Sequence, residues 1–139
     1  MSASRKPRDR AWQQLVSFVM DSRWDWRRRM SEAAGLPFSR VRALDRLRRG
    51  PLTLRDLAEV IGTDAPATTT IVNDLHERGL VTRKEHPEDR RAKVVSLTPE
   101  GRKVIEVAKA VNDRAPAILE RLDADEVGQL LRLLGKLTS

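Results

Sequence analysis

The sequence predicts a mainly α-helical protein with a small β-hairpin. Three features between residues 54 and 101 carry this prediction: two short amphipathic helices in close succession, two alternating strands around a polar tip, and a capped helix start directly after them. Two helices joined by a tight turn and followed at once by a hairpin form a winged helix-turn-helix, in which the hairpin is the wing. Apolar-faced segments on both sides of this lobe are expected to be N- and C-terminal dimerisation helices.

The helix-turn-helix is predicted from the spacing of apolar residues and from the residues that interrupt it. An apolar face at helical spacing runs from Leu54 to Ile61, and Gly62 ends that helix. Asp64 is placed to cap a second helix, which carries Pro66 in its first turn and ends at Gly79. The expected inward face of this second helix holds Thr68, Ile71, Val72 and Leu75, and its outward face holds Ala67, Thr69, Thr70 and Asn73.

The wing is predicted from alternation. Residues 80–85 and 92–97 alternate apolar and polar side chains, and they flank the polar tip HPEDRR at residues 86–91. Residues 98–100, Thr-Pro-Glu, then combine a cap, a first-turn proline and an early acid, which is typical of a helix start.

The two ends of the chain predict further helices. Apolar residues from Trp12 to Ala33 mostly recur every three or four positions, which indicates one long helix before Gly35. A short helix follows over residues 38–47, and Pro116 is expected to kink or end the penultimate helix. The run Asp-Ala-Asp-Glu at 123–126 predicts a capping box that starts the last helix.

The last helix contains more leucines than one core face needs, so a second helix layer must cover the rest. We therefore expect the helices at about residues 10–34 and 103–137 to form the seam of a homodimer, with about 38–101 as a DNA-binding lobe of a single domain spanning 1–139. The alternative is a monomer in which the first and last helices bury each other.

Four runs carry a resemblance to a known family: LAEVIG at 57–62, ERGLV at 77–81, HPEDRR at 86–91 and LTPEG at 97–101. Their order and spacing resemble the MarR (multiple antibiotic resistance regulator) family of bacterial transcription factors, over about the central third of the chain. The resemblance implies a homodimer that binds double-stranded DNA at a pseudo-palindromic operator, more often to repress than to activate. It also implies release by a small lipophilic or phenolic effector held between the dimer helices and the winged lobe.

The second helix of the motif is the candidate DNA reader. Thr69, Thr70 and Asn73 are candidates for contacts to base edges, because threonine methyl groups pack on thymine and an asparagine amide pairs with adenine. Pro66 and Ala67 lie beside them in the first turn. Family members often carry a basic residue near position 70, whereas this chain has none from residue 64 to residue 74, which argues against arginine-to-guanine readout by this helix.

The remaining candidate DNA contacts lie outside that helix. Thr53 and Arg55 begin the preceding helix, where a phosphate is favoured. At the wing tip, Arg90 and Arg91 can enter a narrow minor groove. The resemblance implies that Asp89 orients a wing arginine and that Arg91 is the one inserted. The alternative for the tip is a set of solvated turn charges.

A candidate effector pocket is suggested by apolar residues at the junction of the first two helices. They are Trp24, Trp26, Met30, Phe38 and Val41. An ordinary core cluster at a helix junction is the alternative explanation for the same residues.

Charge and inventory limit the function classes. The net charge is +7 and the pI is about 10.7, which fits a polyanionic partner. The positive excess lies in residues 1–50, which carry 13 basic and 5 acidic side chains, whereas residues 51–139 carry 14 basic and 15 acidic ones. Cysteine and tyrosine are absent, the two histidines lack a second ligand at metal spacing, and there is no glycine-rich phosphate loop. We therefore expect no enzyme, no metal and no cofactor.

Two further expectations follow from the same inventory. No apolar run is long enough to cross a bilayer and the basic start lacks the apolar segment of a secretion signal, so a cytoplasmic protein without a membrane partner is expected. The alternative to a DNA-binding regulator is a winged-helix protein-interaction module, because the candidate reader lacks basic side chains.

Overall fold

The computed structural model describes residues 5–112 and 114–139, and in them six α-helices accompany a small three-stranded sheet. The helices are α1 (Arg5–Ala34), α2 (Phe38–Leu47), α3 (Leu54–Ile61), α4 (Ala65–Glu77), α5 (Pro99–Asn112) and α6 (Ala124–Thr138). The strands are β1 (Leu52–Thr53), β2 (Val81–Glu85) and β3 (Lys93–Leu97). This architecture confirms the predicted winged helix-turn-helix. Position 113, inside the predicted dimerisation segment 103–137, lies outside the described residues.

The turn between α3 and α4 is fixed by the residues that the sequence singled out. Gly62 adopts a left-handed conformation (φ 70°) directly after α3, which a side chain with a Cβ would resist. The Asp64 side chain then accepts a hydrogen bond from the Ala67 N–H at 2.8 Å and caps α4. A turn of three residues therefore sets the angle between the two helices.

The sheet contains one strand more than predicted. Its order is β1-β3-β2, with all neighbours antiparallel, and β1 adds to the hairpin by pairing Leu52 with Val95 and Thr53 with Val94. The prediction of a two-stranded wing was therefore incomplete. A two-residue strand is too short to show alternation, so only its tertiary pairing identifies it.

The core lies inside the winged lobe. Buried apolar side chains come from α2, α3, α4, the strands and α5, and from Met30 near the end of α1. Thr68 is the buried polar member, and its hydroxyl donates to the Asp64 carbonyl at 2.8 Å. This bond satisfies the hydroxyl inside the core, as the expected inward position of Thr68 requires.

The two terminal helices extend beyond that core. The part of α1 before Met30 contains no buried side chain, and within the described chain α6 has none either and packs closely against no other element. The helix α5 ends at Asn112, before Pro116, which precedes a short 3₁₀ helix (Ala117–Arg121). The capping box of Asp123 and Glu126 at the start of α6 is formed as predicted.

Candidate nucleic-acid interface

The outward face of α4 is free because its other face fills the core. Ile71, Val72 and Leu75 are buried with Thr68, whereas Pro66, Thr69, Thr70 and Asn73 are exposed and Ala67 is half-buried. Helical periodicity gives this separation of faces. The structure therefore brings five of the predicted base-edge and first-turn residues onto one accessible strip of the helix.

An acidic residue on α4 is neutralised from two directions. Arg40 of α2 donates through Nε to Asp74 Oδ2 at 3.1 Å, and Arg78 donates through Nε to Asp74 Oδ1 at 3.2 Å. The hydrogen bond from Arg40, followed by that from Arg78, holds the pKa of the Asp74 carboxyl below its ordinary value. The negative charge that α4 would otherwise carry towards a polyanion is thereby offset.

The sequence analysis missed an arginine beside the reader strip. Arg83 of β2 donates from its guanidinium to the side-chain carbonyl oxygen of Asn73, ten residues earlier in the chain. Strand alternation puts Arg83 on the same face of β2 as the buried Val81, and β2 packs against α4. Only a register prediction for this strand relative to α4 could have revealed the contact.

The start of α3 contributes a cap and a cation. The Thr53 hydroxyl oxygen accepts a hydrogen bond from the Asp56 N–H at 3.1 Å, which makes Thr53 the N-cap of α3. Its O–H can still donate to an external acceptor. Arg55, in the first turn, is exposed. Both residues therefore lie where the sequence analysis expected them, at a helix N-terminus.

The wing tip is ordered by local hydrogen bonds. The Asp89 carboxylate accepts from the Arg91 main-chain N–H at 2.9 Å, and the Ala92 N–H donates to the Asp89 carbonyl at 3.1 Å. Across the described ranges, Asp89 forms no ion pair with a wing guanidinium. Asp89 thus holds Arg91 through the main chain rather than through its side chain. The side chains of Arg90 and Arg91 are exposed.

The five candidate pocket residues do not line one cavity. Met30 and Val41 are only 4% and 1% exposed and belong to the core, whereas Trp24 is 73% exposed. Trp26 packs edge-on against the half-buried Phe38, with 5.5 Å between ring centroids. The structure therefore separates the five predicted pocket residues, because helical spacing directs Met30 and Val41 into the core and Trp24 away from it.

A different cavity does open beside Trp26. Its volume is about 440 Å³, and it lies between the middle of α1 and the segment after α5. Apolar side chains line it together with three arginines. They are Phe18, Val19, Trp26 and Pro116, with Arg23, Arg29 and Arg114, and Ser22 and the acidic Asp25 complete the lining.

Two other classes of site find no support in the described part of the chain. Nowhere in residues 5–112 and 114–139 do three or more His, Asp or Glu side chains converge as metal ligands. None of the helices described has the length and apolar content needed to cross a membrane.

Comparison with known proteins agrees with this arrangement. A family model described as the MarR family matches residues 34–92, from the end of α1 through the wing tip. The structure of wild-type MarR in its apo form from E. coli is similar at a TM-score of 0.77 and 24% identity, over 91% of this chain and 96% of that one. The transcriptional regulator BldR from Sulfolobus solfataricus is similar at a TM-score of 0.65 and 25% identity, over 99% and 97%.

One of the similar structures contains DNA. A mutant of MarR from E. coli complexed with operator DNA superposes at a TM-score of 0.62 and 24% identity, over 91% of this chain and 94% of that one. The likeness in all three cases extends over nearly the whole of both chains.

Proposed function

Because this chain belongs to the MarR family of winged helix-turn-helix transcription regulators, we propose that it is a cytoplasmic homodimer that binds a pseudo-palindromic operator and represses transcription. The observation that carries the proposal is the exposed strip of Thr69, Thr70 and Asn73 on α4, together with the exposed Arg90 and Arg91 at the wing tip. A helix of this kind fits a major groove, and an arginine at a hairpin tip fits the adjacent minor groove.

Affinity is expected to come from phosphate contacts around that strip. Arg55 and the hydroxyl of Thr53 supply donors at the N-terminus of α3, where the helix dipole favours an anion. The Asp74 carboxylate lies against two guanidinium groups, so it repels a phosphate less than a free carboxylate would. These contacts would position α4, and the strip itself would select the sequence.

The proposed dimer seam uses α1 and α6. The side chains of Leu131 and Leu137 are 66% and 71% exposed in the single chain, and α1 exposes Trp12, Leu15 and Phe18. A groove between the two helices is lined mainly by their apolar side chains. An isologous partner would cover this surface and hold the two α4 helices about 34–36 Å apart, the spacing of successive major grooves.

A lipophilic or phenolic effector is part of the proposal, and the cavity beside Trp26 is its site. The apolar walls suit a ring, and Arg23, Arg29 and Arg114 suit an anionic substituent. The cavity borders the proposed seam through α1. A ligand there would release DNA only if it binds more tightly to a dimer whose winged lobes have the wrong spacing.

The test is a selection of bound sequences from random duplex DNA with the purified protein at physiological salt. An inverted repeat with half-site centres about one helical turn apart is the expected result. Affinity for the selected operator should fall steeply with salt, because bound phosphates release counterions. Recovery of nothing above background would contradict the proposal and favour a winged-helix protein-interaction module.

A further inference from the structure

Asn73 and Arg83 act as one hydrogen-bonding unit on the reader strip. The guanidinium of Arg83 donates to the side-chain oxygen of Asn73. A guanidinium has no acceptor, so this contact fixes the amide orientation: Oδ1 faces Arg83 and the NH₂ group is left for an external partner. The free polar atoms of the pair are therefore nearly all donors.

This orientation changes which base the strip fits. Pairing with adenine requires the asparagine to accept from N6 and donate to N7, whereas guanine offers two acceptors, N7 and O6, in the major groove. Asn73 Oδ1 already accepts from Arg83, so a second donor must approach it next to the guanidinium. An adenine amino group approaching it would meet those donors, whereas the acceptor edge of guanine would be attracted to them.

We propose that Asn73 and Arg83 together read a guanine, and that β2 thereby supplies the cationic reader that α4 lacks. The inference rests on the proposed DNA-binding function and names its specificity. Among the described residues no acidic side chain forms an ion pair with Arg83; Asp74 pairs with Arg40 and Arg78, and Glu85 pairs with Lys93. The charge of Arg83 is consequently available to a base or a phosphate.

Strand alternation provides a matched control for this assignment. Lys84 is the next residue of β2, is exposed and carries the same charge, but points from the opposite face of the strand. Replacing Lys84 removes one positive charge from the wing without touching Asn73. A general electrostatic contribution and a base-reading contribution can therefore be separated.

The experiment measures binding of the full chain to the operator recovered by selection, and to copies in which each guanine is replaced by adenine or by 7-deazaguanine, which lacks the N7 acceptor. In the wild type, we expect one guanine in each half-site whose replacement weakens binding roughly tenfold or more. Arg83→Met should abolish this discrimination. Lys84→Met should weaken binding to all of these duplexes by the same factor and keep the discrimination.

Arg83→Lys provides a second variant, which preserves the positive charge. Lysine keeps the salt dependence but loses the planar fork, so the discrimination should fall while the slope against salt stays near that of the wild type. Thermal unfolding checks that each variant is folded.

Three results would overturn the inference. The first is retention of the guanine discrimination by Arg83→Met, and the second is tolerance of 7-deazaguanine at every position by the wild type. In both cases an operator has been selected, so the proposed function stands and only the assignment of Arg83 and Asn73 fails. The third is failure of the wild type to select any sequence, which contradicts the proposed function and the inference with it.

Discussion

Gly101, in the first turn of α5, lies against the main-chain carbonyl of Leu80, and a Cβ at position 101 would overlap that carbonyl. The same carbonyl oxygen accepts a hydrogen bond from the Thr98 N–H at 3.1 Å. The Thr98 hydroxyl donates in turn to the Gly79 carbonyl at 2.7 Å. The start of α5 is thereby locked to the junction of α4 and β2, which fixes the wing relative to the reader helix.

Gly101→Ala should destabilise the protein by about 1–3 kcal/mol, because the methyl group must displace main-chain atoms. Urea unfolding followed by circular dichroism measures the change. Gly128→Ala in α6 is the matched control, since its methyl group meets nothing within 4 Å and alanine favours a helix by roughly 0.5–1 kcal/mol. Equal stability of the Gly101→Ala variant and the wild type would show that the main chain around Leu80 shifts to accommodate the methyl group without a measurable cost in free energy.

The ion pair of Asp74 with Arg40 should make stability depend on pH. The folded-state pKa of Asp74 is lowered from 3.8, so its stabilising contribution is present above that value and disappears as the pH falls through the lower folded-state pKa. Asp74→Asn should therefore be less stable than the wild type at neutral pH, and the difference should shrink in acid. Unfolding curves at a series of pH values test this.

Arg40→Met serves as the control for that series. It removes the larger cause of the shift but leaves the hydrogen bond from Arg78. In the Arg40→Met background, the loss of stability that Asp74→Asn causes at neutral pH should consequently be smaller than in the wild type, but still present. A difference between Asp74→Asn and the wild type that persists at the lowest pH would point to packing instead of charge.

Leu137→Lys should weaken self-association. The side chain is 71% exposed in the single chain, so the substitution costs little there, but it would place an ammonium in the proposed apolar seam. Sedimentation velocity at several concentrations should show a shift from dimer to monomer. Gly128→Lys adds the same charge on the opposite face of α6, where a side chain meets nothing within 4 Å, and should leave the dimer intact. A monomeric wild type would contradict the proposed seam.

Neutral replacement of the wing arginines should lower the salt dependence of DNA binding. Each of Arg90→Ala and Arg91→Ala is expected to reduce the slope of log affinity against log salt by about one, if its guanidinium displaces a counterion. The slopes come from titrations of labelled operator at four or five salt concentrations. Arg132→Ala, on α6, is the control, because it tests whether the loss of any arginine lowers this slope. Unchanged slopes in both wing variants would identify the tip as solvated turn charges.

Much of the fold could be predicted because its signals are local. Asp64 and Asp123 cap helices through bonds to N–H groups three residues ahead, and Gly62 and Gly79 adopt positive φ where a helix ends. These preferences depend on only a few neighbouring residues. The exposed strip on α4 was predictable for a similar reason, since the helical period alone separates its faces.

The sequence pattern did not reveal the contacts between residues that are distant in sequence. Strand β1 exists only through its pairing with β3, and Met30 and Val41 became core because α1 and α2 pack there. Arg40 reaches Asp74 across 34 residues, a separation over which no periodicity carries information. Such contacts depend on how helices and strands are placed relative to one another, and secondary-structure propensity does not specify that placement.

The type, order and ends of most elements follow from local sequence, because caps, breakers and amphipathic periods act within a turn or a strand. The surroundings of the reader helix depend instead on how the elements pack in space. Tertiary packing places Arg83 on Asn73 and Arg40 on Asp74, because the packing of α2 and β2 against α4 sets those distances. The hydrogen-bonding character of an exposed side chain depends on its neighbours in space as much as on its identity.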